Sequence, residues 1–154
     1  MSFEKIQKRW LGNWKGTNLL HLSWLTPSDY HSPSHLAITP VANGKFLMFT
    51  YTWSHENTPH EGLLVLGYDA EQKVATAAWL DSWHMSNKIM SCQGTIEERG
   101  EVILQGYYEA PPGPDWGWRI VIATSGEELH LKMYNCTPEG EEELAVRAEY
   151  TQGV

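Results

Sequence analysis

The sequence has little of several things that mark large classes of protein. Its 154 residues include two cysteines, Cys92 and Cys136, too few for a disulfide framework and without the C-x-x-C spacing of zinc and redox sites. No run comes near the roughly 18 consecutive apolar residues of a membrane-spanning helix, and the N-terminus carries no apolar segment of signal-peptide length. We therefore expect a cytoplasmic protein in which both thiols are buried apolar groups.

Basic residues are also scarce. The chain has 11 Lys and Arg against 19 Asp and Glu, which gives a formal net charge of −8. Because nucleic acids and anionic membranes bind concentrated positive charge, we expect neither as the main partner. A second copy of the chain, in a homo-oligomer, is left open.

Phenylalanine is rare beside the other aromatic residues, with three Phe against eight Trp and seven Tyr. Indole and phenol rings carry a polar N–H or O–H group that Phe lacks. This set favours half-polar walls around a pocket over a purely apolar core. The tryptophans are therefore candidate pocket residues.

One segment has helical periodicity, and the rest of the chain has the pattern of short strands. An apolar stripe of Phe3, Ile6 and Trp10 ends before Gly12, which predicts a helix over about residues 2–11. Strand-like runs then recur, separated by turn sequences such as Asn43-Gly44. The ten predicted strands are Gly12–Trp24, Ser34–Thr39, Lys45–Trp53, Gly62–Tyr68, Val74–Trp83, Lys88–Glu97, Val102–Glu109, Trp116–Thr124, Glu128–Asn135 and Glu142–Thr151.

The short links between these strands predict an antiparallel meander, because parallel strands need long crossover connections. A meander of about ten strands exposes two edges unless it closes, which favours a barrel. We expect an all-β single domain over 1–154, with a short N-terminal helix followed by a barrel over about 12–151. A β-sandwich is the alternative, since the connections Thr26–Ser34 and Ala110–Asp115 are long enough for it.

Several short sequences, taken in order, resemble a known family. Gly12–Gly16 is similar to the Gly-x-Trp-x-Gly motif of calycins, the superfamily of the lipocalins and their relatives. Gly62–Asp69, followed by Trp79–Ser82, resembles DUF1579, a bacterial family of lipocalin-like proteins of unknown function, and further matches are Gln93–Thr95 and Glu149–Thr151. The resemblance covers nearly the whole chain. It implies a barrel like those of lipocalins and fatty-acid-binding proteins, with one open mouth and an internal pocket, but no agreed activity or catalytic residues.

The densest group of aromatic and polar residues is Trp79–His84. On a strand, Trp79, Asp81 and Trp83 share one face, so that a carboxylate lies between two indoles. Asp81 is either a structural hydrogen-bond acceptor or a general base, and it is the candidate catalytic residue. The predicted ligand-binding residues are Trp53, Trp79, Asp81, Trp83, Gln105, Tyr107, Trp118, Arg119, His130 and Arg147.

The polar members of this set have two interpretations. In most antiparallel sheets the aliphatic face points inward and the polar face meets water, which would place His130 outside. A ligand-holding barrel can reverse part of this pattern, and Arg119 and Arg147 are then anchors for a carboxylate, which guanidinium binds bidentately.

Seven histidines raise the question of a metal or a cofactor. His31 and His35 have the i, i+4 spacing of a zinc pair on a helix, but Pro33 between them rules out a helix, so no metal site is predicted. We predict no cofactor. Haem is an alternative, since a single imidazole in an apolar barrel can bind it, and the candidate ligands are His130, His84 and His60.

The favoured function is the binding of a small hydrophobic or aromatic molecule in the barrel interior. The alternatives are an enzyme that uses the same pocket, with Asp81 or a histidine as general base, and a haem-binding barrel of the nitrobindin type. The sequence leaves open whether any catalysis occurs.

Overall fold

The structure, a computed structural model, describes residues 2–153. Over this range one helix precedes ten strands that form a closed antiparallel barrel. The first strand pairs with both the second and the tenth, and each later strand pairs with the next. The predicted fold class is confirmed. The elements are α1 Phe3–Trp10, β1 Gly12–His21, β2 Asp29–Val41, β3 Phe46–His55, β4 Thr58–Asp69, β5 Val74–Asp81, β6 Met90–Ile96, β7 Val102–Tyr108, β8 Trp116–Ser125, β9 Glu128–Cys136 and β10 Glu142–Gln152.

Helix α1 closes one end of the barrel. The Ser2 hydroxyl accepts a hydrogen bond from the backbone N–H of Lys5 and so caps the first turn. Trp10 is 1% exposed and packs edge-on against Phe49 of β3, with ring centroids 6.1 Å apart. The Gln7 side chain donates to a carbonyl of the β2–β3 turn at 2.7 Å. No helix within residues 2–153 is long and apolar enough to cross a membrane.

The interior changes in character along the barrel axis. Near α1 it is filled by aliphatic side chains such as Leu47, Leu66 and Ile122, each 0–1% exposed. Toward the opposite end the inward side chains become aromatic and polar. We call that end the mouth; it is formed by the loops 22–28, 82–89 and 109–115 and the turns 56–57 and 137–141.

Several strand boundaries differ from the prediction: β1 ends at His21 and not at Trp24, and β4 begins at Thr58 and not at Gly62. Two further differences, in β2 and β5, bear on the mouth of the barrel. The structure begins β2 at Asp29, inside the segment Thr26–Ser34 that the sequence suggested as a loop. Proline is tolerated here because Pro33 pairs with β1 alone, and pairing with β3 begins only at Leu36. Strand β5 ends at Asp81, so Trp83 lies in the loop that follows and not on the strand.

We predict that Trp10→Ala destabilises the protein by about 3–5 kcal/mol, because the substitution leaves a cavity between the helix and the barrel core. Equilibrium urea denaturation measures the change. Lys8→Ala, at an exposed position of the same helix, should stay within about 0.5 kcal/mol of wild type. Equal losses in the two variants would contradict the role of Trp10 as the closure of this end.

Candidate functional site

The carboxylate of Asp81 organises the mouth end of the interior. Asp81 is the last residue of β5 and is 2% exposed. Its Oδ2 accepts hydrogen bonds from the Tyr51 hydroxyl at 2.7 Å and from the Trp53 indole N–H at 3.2 Å. Its Oδ1 accepts from the backbone N–H groups of Trp83 at 2.8 Å and of His84 at 3.1 Å. One buried charge therefore ties strand β3 to the first turn of the loop 82–89.

Tyr51 is the second member of this network. Its hydroxyl donates to Asp81 and accepts from the Trp79 indole N–H at 3.0 Å. Burial, together with the neighbouring Asp81 charge, raises the pKa of Tyr51 well above its usual value, so the phenol stays protonated. The residue paired with Tyr51 across β3 and β4 is Gly62, where a Cβ would lie 2.2 Å from the Tyr51 ring. Glycine is required there because the ring occupies the space of a side chain.

The loop that Asp81 holds places His84 among four indoles. The imidazole centroid lies 5.5 Å from Trp53, 5.7 Å from Trp79, 4.9 Å from Trp83 and 5.5 Å from Trp118. Burial lowers the pKa of His84 to about 4, so the ring is neutral at physiological pH. Neither ring nitrogen of His84 has a hydrogen-bond partner among residues 2–153. Neither nitrogen is fully enclosed by protein atoms, so both are partly accessible to solvent.

A cleft of about 270 Å³ opens beside His84 at the mouth. A bulge in β10 shapes one wall, since Leu144 pairs with Tyr134 and Val146 with the adjacent Met133, which leaves Ala145 as an extra residue. Four tryptophans, a carboxylate and several aliphatic residues line the cleft. The lining residues are Leu20, His21, Leu22, Ser23, Trp24, Trp83, His84, Trp116, Trp118, Asn135, Glu143, Leu144 and Ala145.

The cleft contains a buried donor without a partner. Trp118 stacks on Trp79 with ring centroids 5.4 Å apart and planes 10° from parallel, yet its indole N–H has no acceptor. An unpaired buried donor costs about 1–3 kcal/mol. The second such atom within residues 2–153 is Nδ1 of His55, whose ring packs against Tyr30 and Trp83 and does not line the cleft. Of these two residues, Trp118 is the one that lines the cleft.

The rim of the cleft is acidic. His21 Nδ1 lies 2.6 Å from Asp29 Oδ1, and this hydrogen bond lowers the pKa of Asp29 below its usual value. His21 Nε2 faces Glu143 Oε1 at 3.6 Å, beyond hydrogen-bond distance. The carboxylate of Glu143 is thus near a histidine but not bonded to it.

The structure brings five of the predicted binding residues together and leaves five apart. Trp53, Trp79, Asp81, Trp83 and Trp118 converge at the mouth. The other five lie on the outer face of the barrel: Gln105, Tyr107, Arg119, His130 and Arg147.

The outward residues already have partners at the surface. Arg119 bonds to Glu142 and stacks on the Tyr134 ring at 4.5 Å, and Arg147 pairs with Glu149. Tyr107 is 65% exposed. Their strands follow the ordinary antiparallel pattern, with aliphatic residues inward.

Few residues are placed to hold a metal or a cofactor. One group of three potential metal ligands occurs within residues 2–153, namely Glu128, His130 and Glu149 on the outer face. The ion pair with Arg147 already engages Glu149. Of the histidines considered as haem ligands, His84 is the one that lines the mouth cleft.

The sequence did not single out Tyr51, and it offered His84 only as a haem candidate. Tyr51 shares a strand face with Trp53, so the alternation in Tyr51-Thr52-Trp53 was the available signal. His84 had no periodic signal, because it belongs to a loop whose course depends on the hydrogen bonds to Asp81.

Comparison with known proteins agrees with this architecture. The profile of the family "Protein of unknown function (DUF1579)" matches residues 4–152. The chain belongs to this family. The crystal structure of Rv2717c from M. tuberculosis is similar in fold to this DUF1579 protein, with a TM-score of 0.68, 13% sequence identity, and coverage of 97% of this chain and 96% of that one. No curated protein matches the chain. The resemblance to DUF1579 seen in the sequence is confirmed, and the closed ten-stranded barrel agrees with the barrel that the calycin resemblance implies.

We predict that Asp81→Asn lowers the free energy of unfolding by about 2–5 kcal/mol, because an amide N–H₂ group would face the buried donors of Tyr51 and Trp53. Urea denaturation measures the loss. Asp115→Asn, at an exposed loop position, is the matched control and should cost less than about 0.5 kcal/mol. A similar small loss at Asp81 would show that its carboxylate does not organise the mouth.

A second prediction concerns pH. Because the pKa of His84 is about 4 in the folded state against 6.5 when unperturbed, the unfolded chain takes up the proton first. The stability due to neutral His84 is fully present above pH 6.5 and is lost as the pH falls toward 4. His84→Phe, which cannot titrate, should flatten the loss of stability over this range. His35→Phe, at an exposed position, should keep the wild-type slope, and an unchanged slope in His84→Phe would contradict the assignment.

Proposed function

We propose that this DUF1579 protein binds a small, mainly apolar or aromatic molecule in the mouth cleft, and that the molecule carries a hydrogen-bond acceptor. The observation that carries the proposal is that Trp118, a residue lining the cleft, has a buried indole N–H without a hydrogen-bond partner among residues 2–153. A ligand oxygen or nitrogen would remove the cost of that unsatisfied donor.

The walls of the cleft support an apolar ligand. They are formed mostly by indole rings and aliphatic side chains such as Leu20, Leu22 and Ala145. The neutral imidazole of His84 adds a polar group without a charge. Such a combination, with a few polar groups in an apolar cleft, is typical of small-molecule sites.

The volume of the cleft sets the size of the ligand. A cavity of about 150 Å³ holds benzene, so about 270 Å³ suits a ligand of one or two rings or a compact branched molecule. A porphyrin is several times larger than benzene. The cleft therefore favours a small organic ligand over haem, although His84 lines it.

The arrangement of Asp81 supports a positioning role in this proposal. Both carboxylate oxygens already accept two hydrogen bonds each, from Tyr51, Trp53 and the backbone of Trp83 and His84. Asp81 also does not line the cleft. We therefore assign it the task of holding the loop and the indoles in place, and the proposal contains no general base.

Titration with benzyl alcohol, which has one ring and one hydroxyl acceptor, tests the proposal. In ¹H–¹⁵N spectra the indole N–H resonance of Trp118, assigned from its loss in Trp118→Phe, should move downfield as the hydrogen bond forms. Ala145→Trp, at the bulge residue that lines the cleft and packs against the core, fills the cleft from its wall and should weaken binding by roughly tenfold or more. Tyr107→Trp, on the exposed outer face, is the matched control and should leave the affinity unchanged.

Two results would overturn the proposal. One is a Trp118 resonance that does not move with any of benzyl alcohol, 3,3-dimethylbutan-1-ol and choline. The other is an Ala145→Trp variant that is folded, by its dispersion of amide resonances, and binds as tightly as wild type.

A further inference from the structure

The charges around the mouth cleft indicate the charge of its ligand. The lining includes the carboxylate of Glu143 but no lysine or arginine. Asp29 lies next to it at the rim, bonded to His21, and the whole chain carries a net charge of −8. An anionic ligand would find no counter-charge here, whereas a cation would be attracted both at long range and in the cleft.

The walls of the cleft are those that attract cations. Four tryptophans line it: Trp24, Trp83, Trp116 and Trp118. The face of an indole carries negative charge density and is the best aromatic partner for a cation. Trp24 is 72% exposed at the outer lip, so its ring is accessible to a ligand.

Glu143 is available to such a ligand. Its side chain is 56% exposed, and its neighbour His21 Nε2 lies 3.6 Å away, too far for a good hydrogen bond. The other nitrogen of His21 is already held by Asp29 at 2.6 Å. A cation placed between the indoles and the rim would therefore meet the half-exposed carboxylate of Glu143, whose nearest basic group is His21 Nε2 at 3.6 Å.

We propose that the ligand of the mouth cleft is an organic cation with a methylated, preferably quaternary, ammonium group and a hydroxyl or carbonyl oxygen close to it. The inference rests on the proposed function and narrows its ligand class. A primary ammonium needs acceptors for three N–H groups, whereas the walls of the cleft are mostly apolar. A quaternary ammonium needs none, and its methyl groups pack against the indole faces while the oxygen accepts from Trp118.

Two probes that differ in charge but not in shape test whether the ligand is a cation. Choline and 3,3-dimethylbutan-1-ol have the same shape and the same hydroxyl, but only choline is charged. We expect choline to bind about tenfold more tightly, because the cation–π attraction and Glu143 act on it alone. The affinities are measured from the shift of the Trp118 indole resonance. Raising the salt concentration should weaken the binding of choline and leave the binding of 3,3-dimethylbutan-1-ol unchanged.

Two substitutions at exposed positions locate the effect. Glu143→Gln should weaken choline binding severalfold and leave 3,3-dimethylbutan-1-ol unchanged, because only the charge at the rim is removed. Glu139→Gln, in the neighbouring turn and outside the cleft lining, is its control. Trp24→Leu keeps an apolar side chain but removes the ring, and it should likewise weaken choline selectively.

The outcomes separate this inference from the proposed function. Two results would overturn the inference that the ligand is a cation and leave the cleft as a site for neutral ligands. One is equal affinity for choline and 3,3-dimethylbutan-1-ol, and the other is a preference for choline that persists in the double variant Glu143→Gln, Trp24→Leu. If benzyl alcohol, choline and 3,3-dimethylbutan-1-ol all fail to move the Trp118 resonance, the proposed function itself fails.

Discussion

The mouth of this barrel depends on one buried negative charge. Asp81 accepts four hydrogen bonds from two side chains of β3 and from two backbone N–H groups of the loop after β5. A buried carboxylate is tolerated only when its lone pairs are occupied in this way. The loop that Asp81 binds carries Trp83 and His84, which line the cleft, so the Asp81 carboxylate also determines the position of this part of the cleft wall. The indoles are assembled around His84 as a result of this electrostatic requirement.

The two ends of the barrel differ in the polarity of their interiors. At one end α1 inserts Ile6 and Trp10 into a mainly apolar core, where the buried indole N–H of Trp14 donates to the Trp10 carbonyl at 2.9 Å. At the other end the interior holds a phenol, a carboxylate and stacked indoles, and an indole N–H remains unpaired. Unpaired buried donors are tolerated where the rest of the structure is stable enough to offset them. The packed half of the barrel thus permits a mouth in which the indole N–H of Trp118 has no partner among residues 2–153.

Much of the fold was predictable, because alternation and turn chemistry are local signals. The apolar stripe of α1, the Asn43-Gly44 turn and the alternating strands determined a closed meander. The limits of the prediction were also physical. Alternation alone did not show that Arg119 and Arg147 point outward, since a ligand-holding barrel can reverse the pattern. The direction of the loop 82–89 has no periodic signal and follows from bonds to Asp81, so the position of His84 could not be read from the sequence.

The closed end has a consequence for exchange with solvent. With α1 packed across one end of the barrel, a molecule that enters the mouth cleft leaves by the passage through which it came. Association and dissociation then cross the same barrier, formed by the loops 22–28 and 82–89. A change in those loops that spares every contact in the cleft would alter both rate constants by the same factor. The lifetime of the complex could therefore be adjusted independently of its affinity.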